Sequence, residues 1–115
     1  MIDNDFVKSI GKAIYDKKGK DVTIIDISKL SSFADYFVNA TATNTRMLDA
    51  IQEEVEKVFE KEGITPKSIE GKPASGWVLA DYGDAIVNLF LEEQREKYQL
   101  DKIWSDGEFI EIEEE

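Results

Sequence analysis

The sequence predicts an α/β fold, a mixed β-sheet covered by helices. Three observations carry that expectation. Two stretches, 4–17 and 43–63, repeat apolar residues at helical spacing. Between and after them stand short β-branched or aromatic runs bounded by turn formers. The resulting order, αββαβββα, interleaves hairpin and crossover connections, which gives a sheet with both parallel and antiparallel pairs.

The first helix covers 4–17, with Phe6, Ile10, Ala13 and Ile14 on one stripe, Asp3 or Asn4 as its cap and Gly19 to end it. "DVTIIDI", 21–27, and "DYFVNAT", 35–41, read as strands joined by the turn-like "SKLSSF". The second helix places Met47, Leu48, Ile51, Val55, Val58 and Phe59 on one apolar stripe, starts from Thr43 or Asn44, and meets Gly63 at the C′ position. "TPKSIEGKPASG" holds both prolines and frames a short edge strand at Ser68 to Glu70. "LEEQREKYQLDKIW" continues as helix, broken near Gln99, and "EFIEI" can form a last short strand. Residues 1–105 are expected to make a single domain, and 106–115 an acidic C-terminal tail.

Composition narrows the chemistry. The chain has 115 residues, enough to bury roughly two-thirds of its unfolded surface without staples. Cysteine and histidine are both absent, so disulfides, thiol nucleophiles, Ser-His triads and ordinary zinc sites are excluded. Net charge is −11, and the acidic tail accounts for only part of it. Such a surface repels phosphate backbones and favours a basic protein partner over nucleic acid. Solubility alone would also account for it. No apolar run approaches the roughly 20 residues of a membrane span, and the N-terminus lacks a signal-peptide apolar region. The cytoplasm is the expected location.

The most informative stretch is "WVLADYGDAIVNLF", 77–90. A two-residue Gly83-Asp84 loop suits a type II′ turn, which wants glycine first. That register sets Tyr82 opposite Ala85, Asp81 opposite Ile86, Leu79 opposite Asn88 and Trp77 opposite Phe90. Because side chains alternate along a strand, one face carries Val78, Ala80, Tyr82, Ala85, Val87 and Leu89, nearly pure core. The other mixes Trp77, Leu79, Ile86 and Phe90 with Asp81 and Asn88. A face of that mixture is either half-covered by a helix or a docking surface. Trp77 and Phe90 could equally be ordinary packing. Asp81 and Asp84 do not make a cation site, since they stand three apart and the second falls in the turn. The 40–45 loop has no glycine for close approach to phosphate, so capping explains it better. No metal or cofactor is expected.

The strings "ADYFVNATATNTRMLDAIQEEVEK" and "EGKPASGWVLADYGDAIVNLFLEEQREKYQLDKIW" resemble the Iojap-like family of ribosomal silencing factors (RsfS). The motifs that carry this are D-Y-F, E-G, W-V-L-x-D-Y-G-D, E-x-x-R-x-x-Y-x-L and a closing I-W, from about Asp21 to Trp104. The resemblance implies a nucleotidyltransferase-like fold without catalytic residues. It implies binding to the large ribosomal subunit through its protein fourteen at the intersubunit face, blocked subunit joining, repressed translation under nutrient limitation, and a homodimer. The positions that match the motifs are Trp77, Asp81, Asp84, Glu92, Glu93, Arg95, Tyr98, Leu100 and Trp104. Trp77, Tyr98 and Leu100 would be apolar anchors, and Asp81, Asp84 and Glu92 would pair with basic groups of the partner. Two residues depart from the family pattern: Ala42 stands where a glycine is usual, and Asn88 where a histidine is common. Asn88 keeps a donor and an acceptor but cannot charge near neutral pH. Two other classes compete. One is a nucleotide-binding or nucleotidyltransferase-type enzyme, on fold analogy alone. The other is an acidic binder whose tail adds a strand to a partner's sheet.

Overall fold

The structure, a computed structural model, describes residues 2–32, 34–98 and 107–110, with backbone only for 96–98. Its elements are α1 (Asn4–Asp16), β1 (Lys20–Asp26), β2 (Tyr36–Ala42), α2 (Thr45–Lys61), β3 (Ser68–Lys72), a 3-10 turn (Pro73–Ser75), β4 (Trp77–Asp81), β5 (Ala85–Leu91), α3 (Glu92–Tyr98) and β6 (Glu108–Ile110). The six strands form one sheet in the order β3-β4-β5-β2-β1-β6. Only β2 and β5 run parallel; the other neighbours are antiparallel. The expected mixed sheet with helices is therefore the observed fold, and the first three residues of the expected "EFIEI" strand form β6 in it, against the chain's own β1, while the last two lie outside the described residues.

Capping decides where both long helices start. Asp3 Oδ1 accepts from Phe6 N–H at 2.9 Å, and Asn44 Oδ1 accepts from Met47 N–H at 2.8 Å. At the end of α2, Gly63 takes φ 73, and Ile64 N–H donates to Phe59 O, the αL ending the sequence implied. The end of α1 differs from expectation. Lys18, not Gly19, takes the left-handed conformation, at φ 71, and Gly19 N–H closes the motif onto Ile14 O. Gly19 is needed for closeness instead, because a Cβ there would run into the Ile14 side chain. Ala42 ends β2 fully buried without positive φ, so the missing glycine leaves the strand regular.

The helices α1 and α2 pack side by side on one face of the sheet. Val7, Ile10 and Ile14 of α1 and Leu48, Ile51, Val55 and Phe59 of α2 meet Ile24, Val38, Ala40, Val78, Val87 and Leu89 from the strands. The six residues assigned to the core face of the β4–β5 hairpin all belong to this cluster. The opposite face holds a smaller cluster, Ile25, Ile27, Ala34, Phe37 and Ile86, with Leu79 partly buried against it. Among the described residues, no helix is long and apolar enough to cross a membrane.

Candidate docking face

The hairpin register is the one the turn chemistry implies. Trp77 pairs with Phe90, Leu79 with Asn88 and Asp81 with Ile86. Tyr82 N–H donates to Ala85 O at 2.9 Å, and Gly83 has φ 89 while Asp84 does not take positive φ, the pattern of a type II′ turn. Asp81 and Asp84 both serve this turn. Asp81 Oδ1 accepts from Gly83 N–H at 2.8 Å, so its half-buried carboxylate satisfies a turn donor. The exposed Asp84 lends its backbone carbonyl to Asp35 N–H and Tyr36 N–H, which ties the turn to the start of β2. Among the described residues no three potential metal ligands converge.

The sheet face turned away from α1 and α2 is uneven. Phe90 is fully buried, whereas Trp77 is only half-buried and lies on it, with ring centroids 5.4 Å apart and planes 22° from parallel. Trp77 Nε1–H donates to Asn88 Oδ1 at 3.2 Å. Asn88 has no exposed surface, and neither has Asn39, its neighbour across the parallel β2–β5 ladder. Thr41, next along β2 on the same face, is also buried. A polar row thus runs under the face where the sequence alone showed an acid and one amide. Composition could not show this burial, because it comes from β2 lying alongside β5.

Arg95 crosses that row. Its Nη1 donates to Thr41 Oγ1 at 3.1 Å and its Nη2 to Thr23 Oγ1 at 3.2 Å, so a guanidinium from α3 spans β2 and β1. Both hydroxyls belong to residues far from Arg95 in sequence, and no local pattern could have assigned them. Glu92, at the start of α3, forms an ion pair with Lys20 at the start of β1. The hydrogen bond to Glu92 is the chief cause of a raised Lys20 pKa. Glu93 is exposed. Tyr98 ends α3, with its side chain outside the description, and Leu100 and Trp104 lie outside the described residues.

The face is thus part covered and part open. Leu79, Asp81 and Trp77 of β4 keep partial exposure, and beyond them every residue of the edge strand β3 is exposed. Ser68 pairs with Asp81, Glu70 with Leu79 and Lys72 with Trp77, which extends the same face to the sheet edge. The arrangement offers an aromatic ring on a buried floor, flanked by an aliphatic side chain and carboxylates. That is the make-up of a protein contact.

Comparison with known proteins agrees with the sequence resemblance. The family model for the ribosomal silencing factor during starvation, RsfS, matches residues 3–115. The ribosomal silencing factor RsfS of Halalkalibacterium halodurans is 32% identical over 113 residues, covering 98% of this chain and 97% of that protein. A mouse protein named for mitochondrial assembly of the ribosomal large subunit is 34% identical over 92 residues, 77% of this chain and 40% of its own length. A crystal structure of a Chromobacterium violaceum protein superposes with a TM-score of 0.84 at 30% identity, covering 91% of this chain and 88% of that one. With the family model spanning nearly the whole chain and the fold shared, this protein belongs to the ribosomal silencing factor (RsfS, Iojap) family.

Proposed function

We propose that this chain represses translation by occlusion. It binds the large ribosomal subunit through that subunit's protein fourteen at the intersubunit face, and its bulk keeps the small subunit away, above all when nutrients are scarce. The observation that carries the reading is the half-exposed Trp77, seated on buried Phe90 beside Leu79 and Asp81, on a chain of net charge −11. An aromatic anchor with a carboxylate rim suits a basic protein surface. Occlusion needs affinity and volume but no reacting group. The family description and the name of the mouse relative support a ribosomal setting. On this reading the protein works in the compartment that holds its ribosomes, and its free form is a homodimer, which sedimentation equilibrium would report.

Co-sedimentation with separated subunits tests the proposal. The protein should travel with large subunits, and adding small subunits should then yield fewer joined particles. Joining that proceeds undisturbed at saturating protein would refute it. Trp77→Ala should weaken large-subunit binding by over ~2 kcal/mol, the usual cost of truncating a central anchor. Cooperative melting should persist, because the ring is only half-buried. Residues 111–115 can be removed in the same assay without touching β6, which ends at Ile110.

A further inference from the structure

Asn88 is a costly residue for its place. It sits in the middle of β5 with no exposed surface, flanked by Val87 and Leu89. Its side-chain oxygen accepts from Trp77 Nε1–H at 3.2 Å. Its side-chain nitrogen is buried with no hydrogen-bond partner among the described residues. A buried amide with an unmet donor destabilises the fold relative to an apolar side chain of similar size. Leucine has nearly the same size and would bring no polar atom into this buried place, so burial alone gives no reason for an amide. The contribution left to account for it is made by the oxygen, which holds the indole.

The geometry shows what that hold does. Trp77 is the first residue of β4, paired with Phe90, so Asn88 lies diagonally across the ladder from it on the same face. Phe90 supports the ring from beneath at a centroid distance of 5.4 Å, but stacking alone lets an indole turn in its plane. A hydrogen bond from the single indole N–H to a fixed acceptor removes that freedom. Asn88 is itself fixed by burial in a central strand, between β4 and β2. The half-exposed indole is therefore presented in one orientation before any partner arrives, and a preorganised anchor binds more tightly because less freedom is lost on binding.

We propose that Asn88 is a positioning residue: it touches no partner, and it sets the orientation in which Trp77 meets the large-subunit surface. This rests on the docking role of Trp77 under Proposed function.

The test pairs Asn88→Leu with Asn88→His and reads three quantities: melting, the Trp77 indole N–H proton resonance, and large-subunit co-sedimentation. The chain has two tryptophans, so Trp77→Phe identifies the resonance. Asn88→Leu should melt at or above the wild-type temperature, since it removes the unmet donor. Its Trp77 indole proton should shift away from the hydrogen-bonded position, and binding should weaken roughly three- to tenfold, the worth of one hydrogen bond. Asn88→His, which restores a ring-nitrogen acceptor, should recover both the resonance and the binding. In a Trp77→Phe background, Asn88→Leu should cause no further loss. An unmoved indole resonance in Asn88→Leu would overturn the proposal, as would a binding loss that adds in full to that of Trp77→Phe. Should the leucine variant not fold, Trp77→Phe breaks the same bond from its outer end, and unchanged binding there would also overturn it. If wild-type protein fails to sediment with large subunits, the proposed function falls, while the indole shift still upholds or overturns the hold of Asn88 on the ring.

Discussion

The ring of Tyr82 lies flat on Phe59 of α2, with centroids 3.6 Å apart and planes 4° from parallel. Phe6 of α1 also meets Phe59, in an edge-type contact with centroids 5.1 Å apart. The hydroxyl of Tyr82 is buried without a hydrogen-bond partner among the described residues. Its pKa is pushed up to about 12, first by burial and then by the nearby Glu56 carboxylate. An unfolded tyrosine titrates near ~10. The folded state thus holds this proton more tightly than the unfolded chain does. The corresponding stability is fully present below pH ~10 and is lost as pH rises through about 12. Tyr82→Phe keeps the stack and removes the unmet donor. At neutral pH it should be as stable as wild type or up to ~1 kcal/mol more so. Denaturant titrations at pH 9 and pH 11.5 should show the wild type losing more stability than the variant. Equal losses would mean that the hydroxyl is solvated.

At the scale of elements, β3 depends on one glycine. Gly71 sits in the strand at φ 83, and a Cβ on it would run into the Trp77 carbonyl oxygen across the ladder. Both the dihedral and the close approach exclude larger residues. Gly71→Ala should cost about 2 kcal/mol in chemical denaturation, from left-handed strain plus backbone displacement. Its main effect should be to loosen β3 from β4, seen as faster amide exchange at Leu79 and Ala80 with α2 still protected. Exchange unchanged in β4 would show that the edge absorbs the methyl group. Near the other edge, in the strand next to β6, Asp21 adopts φ 50 where the β1–β2 register shifts between Lys20 and Thr23. This bulge twists the end of β1, where the Lys20–Glu92 ion pair joins α3 to the strand. α3 is held on the sheet from both its first residue, through the Lys20–Glu92 pair, and Arg95.

For the whole molecule, charge and topology act together. On the proposed function, the net charge of −11 would attract the chain to a basic surface over long range, and the apolar anchor would set the residence time. Association with large subunits should therefore slow as salt rises. Asp84 and Glu70 are exposed, on the hairpin turn and on β3. Asp84→Lys combined with Glu70→Lys should lower the association rate by about tenfold at low salt and flatten its salt dependence, with little change in dissociation. A double variant that changes only the dissociation rate would place these carboxylates inside the contact instead of at its rim.

The local elements and the two hairpin faces were legible in the sequence because they depend on neighbours. Helical stripes, Asp3 and Asn44 caps, Gly63 at C′ and the Gly83-Asp84 turn all act within a few residues, and a period of two fixes which side chains share a strand face. The family resemblance was legible too, since its motifs are contiguous. The tertiary structure alone decided what the mixed face became. Placing β2 parallel to β5 set Asn39 beside Asn88 and buried both, and folding α3 back brought Arg95 to Thr41 and Thr23. These contacts join segments far apart in sequence, so no local propensity encodes them. They exist because two apolar helices claim one side of the sheet, leaving the polar row and the half-covered Trp77 on the other.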